Sequence, residues 1–122
     1  MSSKIIWRTI ADALIESGFE VYPPATKNGE CKNPYVVLKT EGAAQIPGYS
    51  SEYHYYSFIC YVPQNQYSEL EKLKSRVKKI LYDKMYPTLM PTGEESTSFF
   101  DSSIKAHMSY IMYRNNVRNK HL

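Results

Sequence analysis

At 122 residues, with 43% hydrophobic and 22% charged side chains, the chain has the size and composition of one folded domain that buries its own core, which excludes wholesale disorder. A net charge of +3 is too small to imply nucleic acid by itself. Two cysteines with no CxxC and no Cys/His ligand spacing argue against zinc and for free thiols, and no apolar run approaches the roughly 20 residues of a membrane span.

No signal-peptide pattern is present, so the chain is expected to be made and used in the cytoplasm, or to leave it only by cell lysis. The unusual feature is tyrosine, twelve against four phenylalanines and one tryptophan. Tyrosine offers a large contact area with a polar tip and suits surfaces that are buried only on assembly.

In chain order, the first element expected is a helix from Ser2 or Ser3 to Ser17, with Ile6, Ile10, Ala13, Leu14 and Ser17 as its buried stripe and Trp7 and Ile15 widening it. Gly18 stops it in a left-handed conformation. Phe19–Tyr22 reads as a short strand ending at Pro23-Pro24, followed by a loop with a turn at Asn28-Gly29. Tyr35–Glu41 is a second strand, and Gly42–Ser51 reads as a long hairpin tip of the kind that reaches a partner.

The segment Tyr53–Pro63 (YHYYSFICYVP) is a strand with two unlike faces. His54, Tyr56, Phe58, Cys60 and Val62 alternate with Tyr53, Tyr55, Ser57, Ile59 and Tyr61, and neither set is properly polar. The first set, the more apolar, is expected to meet the helices. The second would then form an outward patch that a monomer rarely keeps exposed.

A second helix follows, opened by a capping box of Ser68 and Glu71 and striped by Leu70, Leu73, Val77, Ile80 and Leu81. Pro87 ends it near Lys84 or Met85. Thr88–Ser98 reads as loop, at most starting with a short extended piece. Phe99–Asn115 reads as one or two strands with a turn at Asp101-Ser102-Ser103, and 116–122 as a frayed basic tail. The order predicts a single α+β domain over 1–122, a mainly antiparallel sheet of four to five strands with two helices packed on one face.

No catalytic signature is present: no P-loop, GxGxxG, GxSxG or HExxH. His54 and Cys60 share a strand face, but six residues separate them by about 20 Å. His54 and His107 read as half-buried sheet histidines, and Glu94-Glu95 as a solvated loop. Lys72, Lys74, Arg76, Lys78 and Lys79 on the second helix raise the alternative of a small nucleic-acid-binding module, in which a basic face is paired with stacking aromatics. No cofactor, metal or enzymatic activity is expected.

The helix Lys4–Ser17 (KIIWRTIADALIES), the block Asn33–Glu41 (NPYVVLKTE) with the Tyr53–Pro63 strand and the helix Ser68–Leu81 (SELEKLKSRVKKIL), and the closing strand Ile104–Tyr113 (IKAHMSYIMY) follow one another across nearly the whole chain. This layout resembles the small tail-terminator, or tail-completion, proteins of long-tailed bacteriophages. The resemblance implies a structural virion protein of the tail or neck, assembled in the host cytoplasm. Such a protein forms a homohexameric ring that caps the tail tube, contacts tube and sheath proteins, and joins a head-completion or connector protein; DNA only passes through its lumen. A head-completion protein of the same neck is the neighbouring reading. On position, Tyr53, Tyr55, Ile59 and Tyr61 are expected at the subunit interface. Gln45, Ile46, Pro47, Gly48 and Tyr49 are expected in a loop reaching the adjacent ring.

Overall fold

The computed structural model describes residues 7–45 and 51–118. Helix α1 (Trp7–Glu16) buries Ile10, Ala11 and Leu14 on one side. Trp7 packs against the same core and donates its indole N–H to the Leu38 carbonyl at 2.5 Å. Ile15 lies outside the stripe and is exposed, and Ala11 takes the place expected for it. The start expected at Ser2 or Ser3 lies outside the described residues. At the other end Gly18 has φ 98°, while the Phe19 and Gly18 N–H groups donate to the carbonyls of Leu14 and Ile15. That pair of bonds is a Schellman closure, which glycine permits because it has no Cβ to clash at positive φ.

Six strands follow: β1 (Val21–Tyr22), β2 (Tyr35–Gln45), β3 (Ser51–Pro63), β4 (Leu89–Glu95), β5 (Phe99–Asp101) and β6 (Ala106–Arg118). The sheet order is β1-β2-β3-β6-β4, and β5 pairs with β6 beside β4. Only the β1–β2 pair is parallel; every other pair is antiparallel. The fold is therefore α+β, with one strand more than the four to five expected.

Helix α2 (Glu69–Met85) lies between β3 and β4 in the chain, entered through a 3-10 turn at Gln64–Gln66. Its core stripe is Leu70, Leu73, Val77 and Leu81, with Ile80 partly buried beside them. The expected capping box does not form. Ser68 is itself helical and makes no side-chain cap, because the preceding 3-10 turn already delivers the chain in helical geometry and the Tyr67 carbonyl takes the Leu70 N–H.

Both helices pack on the same face of the sheet. One continuous core joins Ile10, Leu14 and Phe19 to Leu38, Phe58 and Val62, and to Val77 and Leu81 of α2. As expected, Tyr56, Phe58, Cys60 and Val62 of β3 point into it, and His54 is half-buried at its end.

Three boundaries depart from expectation. Strand β2 runs on to Gln45, pairing Ala43, Ala44 and Gln45 with His54, Tyr53 and Glu52, so the expected ten-residue tip loses Gly42–Gln45 to β2 and Ser51 to β3. A bulge between Thr40 and Ala43 makes this possible, with Gly42 at φ 92° absorbing the extra residue. Thr88–Ser98 contains a true strand, β4; it tolerates Pro91 because it lies on the sheet edge, and Gly93 at φ 90° sits in its own register shift. Finally, β6 stays paired to Arg118, well into the segment expected to fray. The Asp101–Ser103 turn is present: the Asp101 carboxylate accepts from the Ser103 N–H at 2.9 Å and from its hydroxyl at 2.6 Å.

Candidate interaction surface

Among the described residues no helix lies on the second face of the sheet. Register places Tyr35, Val37 and Lys39 of β2 beside Tyr61, Ile59 and Ser57 of β3, and these beside Met108, Tyr110 and Met112 of β6. Directly opposed residues on antiparallel strands point to the same side, so large side chains run across three strands. All four residues expected at an interface, Tyr53, Tyr55, Ile59 and Tyr61, lie on this face.

The face divides into two halves. At the Pro63 end the chain folds its own loops over it. Cys31, Tyr35, Val37 and Ala106 form a second small core, with Tyr22, Ile59, Tyr61 and Ile104 packed around them. The Cys31 N–H donates to the Ile104 carbonyl at 2.7 Å and ties the two covering loops together. Tyr35 and Tyr61 stack at 4.7 Å, Tyr22 meets Tyr35 edge-on at 5.7 Å, and the Lys27 ammonium lies 5.3 and 5.6 Å from the Tyr22 and Tyr35 ring centres. Burial pushes the Tyr35 phenol up to about 12. Ile59 and Tyr61 are therefore half-buried within this monomer's own packing, not members of an exposed patch.

At the other end the face is open. A depression of about 600 Å³ is lined by Glu41, Tyr55, Thr92, Glu94, Tyr110, Met112 and Arg114. Glu41 follows Lys39 on the ordinary alternation of β2 and points to this side, where it accepts from the Ser57 hydroxyl at 2.6 Å and pairs with Lys39 at 3.6 Å. Tyr110 donates its hydroxyl to Glu94 at 3.0 Å, and that bond to a carboxylate raises the phenol's pKa. The Arg114 guanidinium covers the Tyr53 ring at 4.4 Å, and Tyr53 meets Tyr55 at 6.1 Å. A depression lined by phenols, a methionine and charges of both signs is chemistry for binding another surface. Neither Glu41 nor Arg114 is assigned to this surface by the sequence, and Glu94 reads there as part of a solvated loop. Arg114 was accessible to that reasoning, since it stands on the same alternation as Met108, Tyr110 and Met112.

A second groove, about 700 Å³, runs between the C-terminal half of α2 and the β4 edge, over Leu89, Ile111 and Tyr113. Tyr82 and Tyr86 stack at 4.9 Å on its rim, both exposed.

The remaining candidates resolve into structure. His54 bonds Glu52 at 2.8 Å, whereas His107 bonds the Gln64 carbonyl at 3.1 Å between the rings of Tyr67 and Phe100. His107 is paired with Val62, eight residues along β3 from His54, or roughly 26 Å, so the two share no site. Cys60 is buried in the main core and its thiol is pushed up to about 12 by that burial, while Cys31 sits under the opposite face. Among the described residues no three His, Cys, Asp or Glu side chains could hold a metal ion.

The lysines of the basic stretch of α2 are paired with carboxylates within the chain, Lys72 with Glu69, Lys78 with Glu95 and Lys79 with Asp83, while Arg76 covers the Phe19 ring. Lys74 is buried rather than solvent-facing, held between Glu95 at 3.0 Å and Glu71 at 3.2 Å. Burial works to lower its pKa, but the bonds to Glu95 and Glu71 outweigh it and the net shift is upward. Gln45 belongs to β2; the rest of the expected loop, Ile46 to Tyr49, lies outside the described residues.

The chain matches no protein-family model and no curated protein sequence.

Proposed function

We propose that the chain is a structural subunit, assembling into the ring that ends a phage-type tail tube and joins it to the head connector. The observation that carries the reading is the open half of the outer sheet face. Two helices pack over one side of the sheet, while Tyr53, Tyr55, Tyr110 and Met112 remain half-exposed on the other, ready to be covered by another subunit. The overall layout of the chain, from the first helix to the closing strand, supports the tail assignment through the resemblance described above.

The reading is tested by electron microscopy of tail tubes co-expressed with the chain. A ring of this protein at one end of each tube is expected. Tubes left bare, with the protein on the head connector instead, would move it to the neighbouring head-completion role. The nucleic-acid alternative is weakened by the pairing of the α2 lysines with carboxylates, since a phosphate backbone needs free positive charge. Tight, strongly salt-dependent binding of single-stranded DNA that is lost on neutralising Lys78 and Lys79 would restore it.

A further inference from the structure

We infer that, away from a tube end, two copies of this chain pair face to face through the outer depression, Glu94 of each copy meeting Arg114 of the other. The argument is charge complementarity of the patch with itself. Among the described residues neither Glu94 nor Arg114 has an ion-pair partner: Glu94 accepts from the Tyr110 hydroxyl, and Arg114 lies over the Tyr53 ring. Nearby Glu41 is already engaged by Lys39 and Ser57.

The two free charges flank an apolar centre at Met112. Arg114 stands two positions along β6 to one side, and Glu94 reaches Tyr110, two positions to the other. A two-fold axis through that centre lays Met112 and the phenols beside it on their copies and sets both Glu94–Arg114 pairs at once. An isologous contact requires this self-complementary arrangement, whereas a ring requires two different surfaces. The pairing goes beyond the ring reading. Taken with that reading, it also covers the assembly face until a tube end competes for it.

The test uses the full chain and two charge reversals, Glu94→Arg and Arg114→Glu, followed by sedimentation at low and high salt. Both positions are at the surface, and circular dichroism melts verify that each variant folds. The wild type is expected to be a dimer that weakens with salt. Each single reversal sets like charges opposite one another twice and is expected to weaken the dimer about tenfold or more.

The decisive measurement mixes the two variants. Because the contact is isologous, a Glu94→Arg copy and an Arg114→Glu copy together rebuild both ion pairs with their signs exchanged at one of them. The mixture is therefore expected to form a heterodimer about tenfold or more tighter than either variant forms with itself. A monomeric wild type, or a mixture that stays monomeric, overturns the pairing. A wild-type species larger than two copies whose size neither reversal changes also overturns it, while leaving the ring reading standing. Rings absent from tubes, beside an intact heterodimer, would overturn only the ring.

Discussion

The two faces of one sheet show what covers a strand and what does not. On the inner face β3 presents Tyr56, Phe58, Cys60 and Val62, all buried under two helices. On the outer face the same strand presents five residues of similar size, of which only Ser57 is fully buried. The inner set is the more apolar, but how far each residue is buried follows from the elements laid over it. The outer face itself repeats the contrast, since loops close over Ile59 and Tyr61 while Tyr53 and Tyr55 stay open. Substitutions along β3 should therefore fall in a graded series, losing effect on folding and gaining effect on association.

The largest folding effect is expected from Phe58→Ala. Phe58 is fully buried and meets Tyr113 edge-on at 5.3 Å, so truncation leaves a cavity at the centre of the helix–sheet core. A loss of about 3–5 kcal/mol, read by denaturant unfolding, is expected. A loss under about 1 kcal/mol would mean that the inner face is not the main core.

Ile59→Asp comes next. It inserts a carboxylate among Tyr61, Val37 and Ile104, in packing that is closed but thin. A loss of about 2 kcal/mol is expected, near the lower end for truncating a buried isoleucine. If the monomer keeps its stability and only association fails, the small core under the Cys31 and Ile104 loops contributes little.

These two positions also mark how far the sequence could be read. Alternation in Tyr53–Pro63 identified both faces because a strand's period of two is strict and one set is visibly more apolar. The α2 stripe and the Gly18 stop were legible for equally local reasons. Long-range features were not. Gly42-Ala43-Ala44-Gln45 has low strand propensity and is extended because β3 supplies its ladder. Leu89–Glu95 holds a proline and a glycine, and only its place on the edge makes it a strand. Lys74 looked like one more surface lysine, since no local pattern reveals that Glu95, 21 positions later, closes over it. The cover over Ile59 and Tyr61 comes from Cys31 and Ile104, far from β3 in sequence, which is why the open half of the face looked larger than it is.

The Lys74–Glu95–Lys78 cluster ties α2 to the end of β4 and gives a smaller, pH-dependent effect. Hydrogen bonds from Lys78 and then Lys74 hold the Glu95 carboxyl below its ordinary value of 4.5, against the effect of burial. A depressed carboxyl stabilises the fold above its unfolded pKa, and that contribution is lost as pH falls through the lower folded value. Lys74, with its pKa raised above 10.5, contributes below that value and loses its contribution as pH rises through the folded one. Thermal melts of the wild type should therefore fall off below about pH 4.5, and Glu95→Gln should flatten that acid limb. Parallel acid limbs in the two proteins would show that the cluster does not couple to folding.

The smallest folding effect, with the largest effect on association, is expected from Tyr55→Asp. Tyr55 is half-exposed in the open depression, beside Met112 and Arg114, where an added carboxylate stays hydrated in the monomer. Its unfolding free energy should stay within about 0.5 kcal/mol of the wild type, as for surface substitutions generally. The new carboxylate would stand opposite Arg114 on β6, compete with the other copy's Glu94 for it and remove the phenol's contact area, so association should weaken. Sedimentation should show the variant monomeric where the wild type pairs, and tubes made with it should lack the terminal ring. Tyr55→Phe keeps the ring's area without a charge and should restore both. A Tyr55→Asp protein that unfolds alone would place Tyr55 with Ile59 inside the monomer's own packing and leave the outer face without an assembly role.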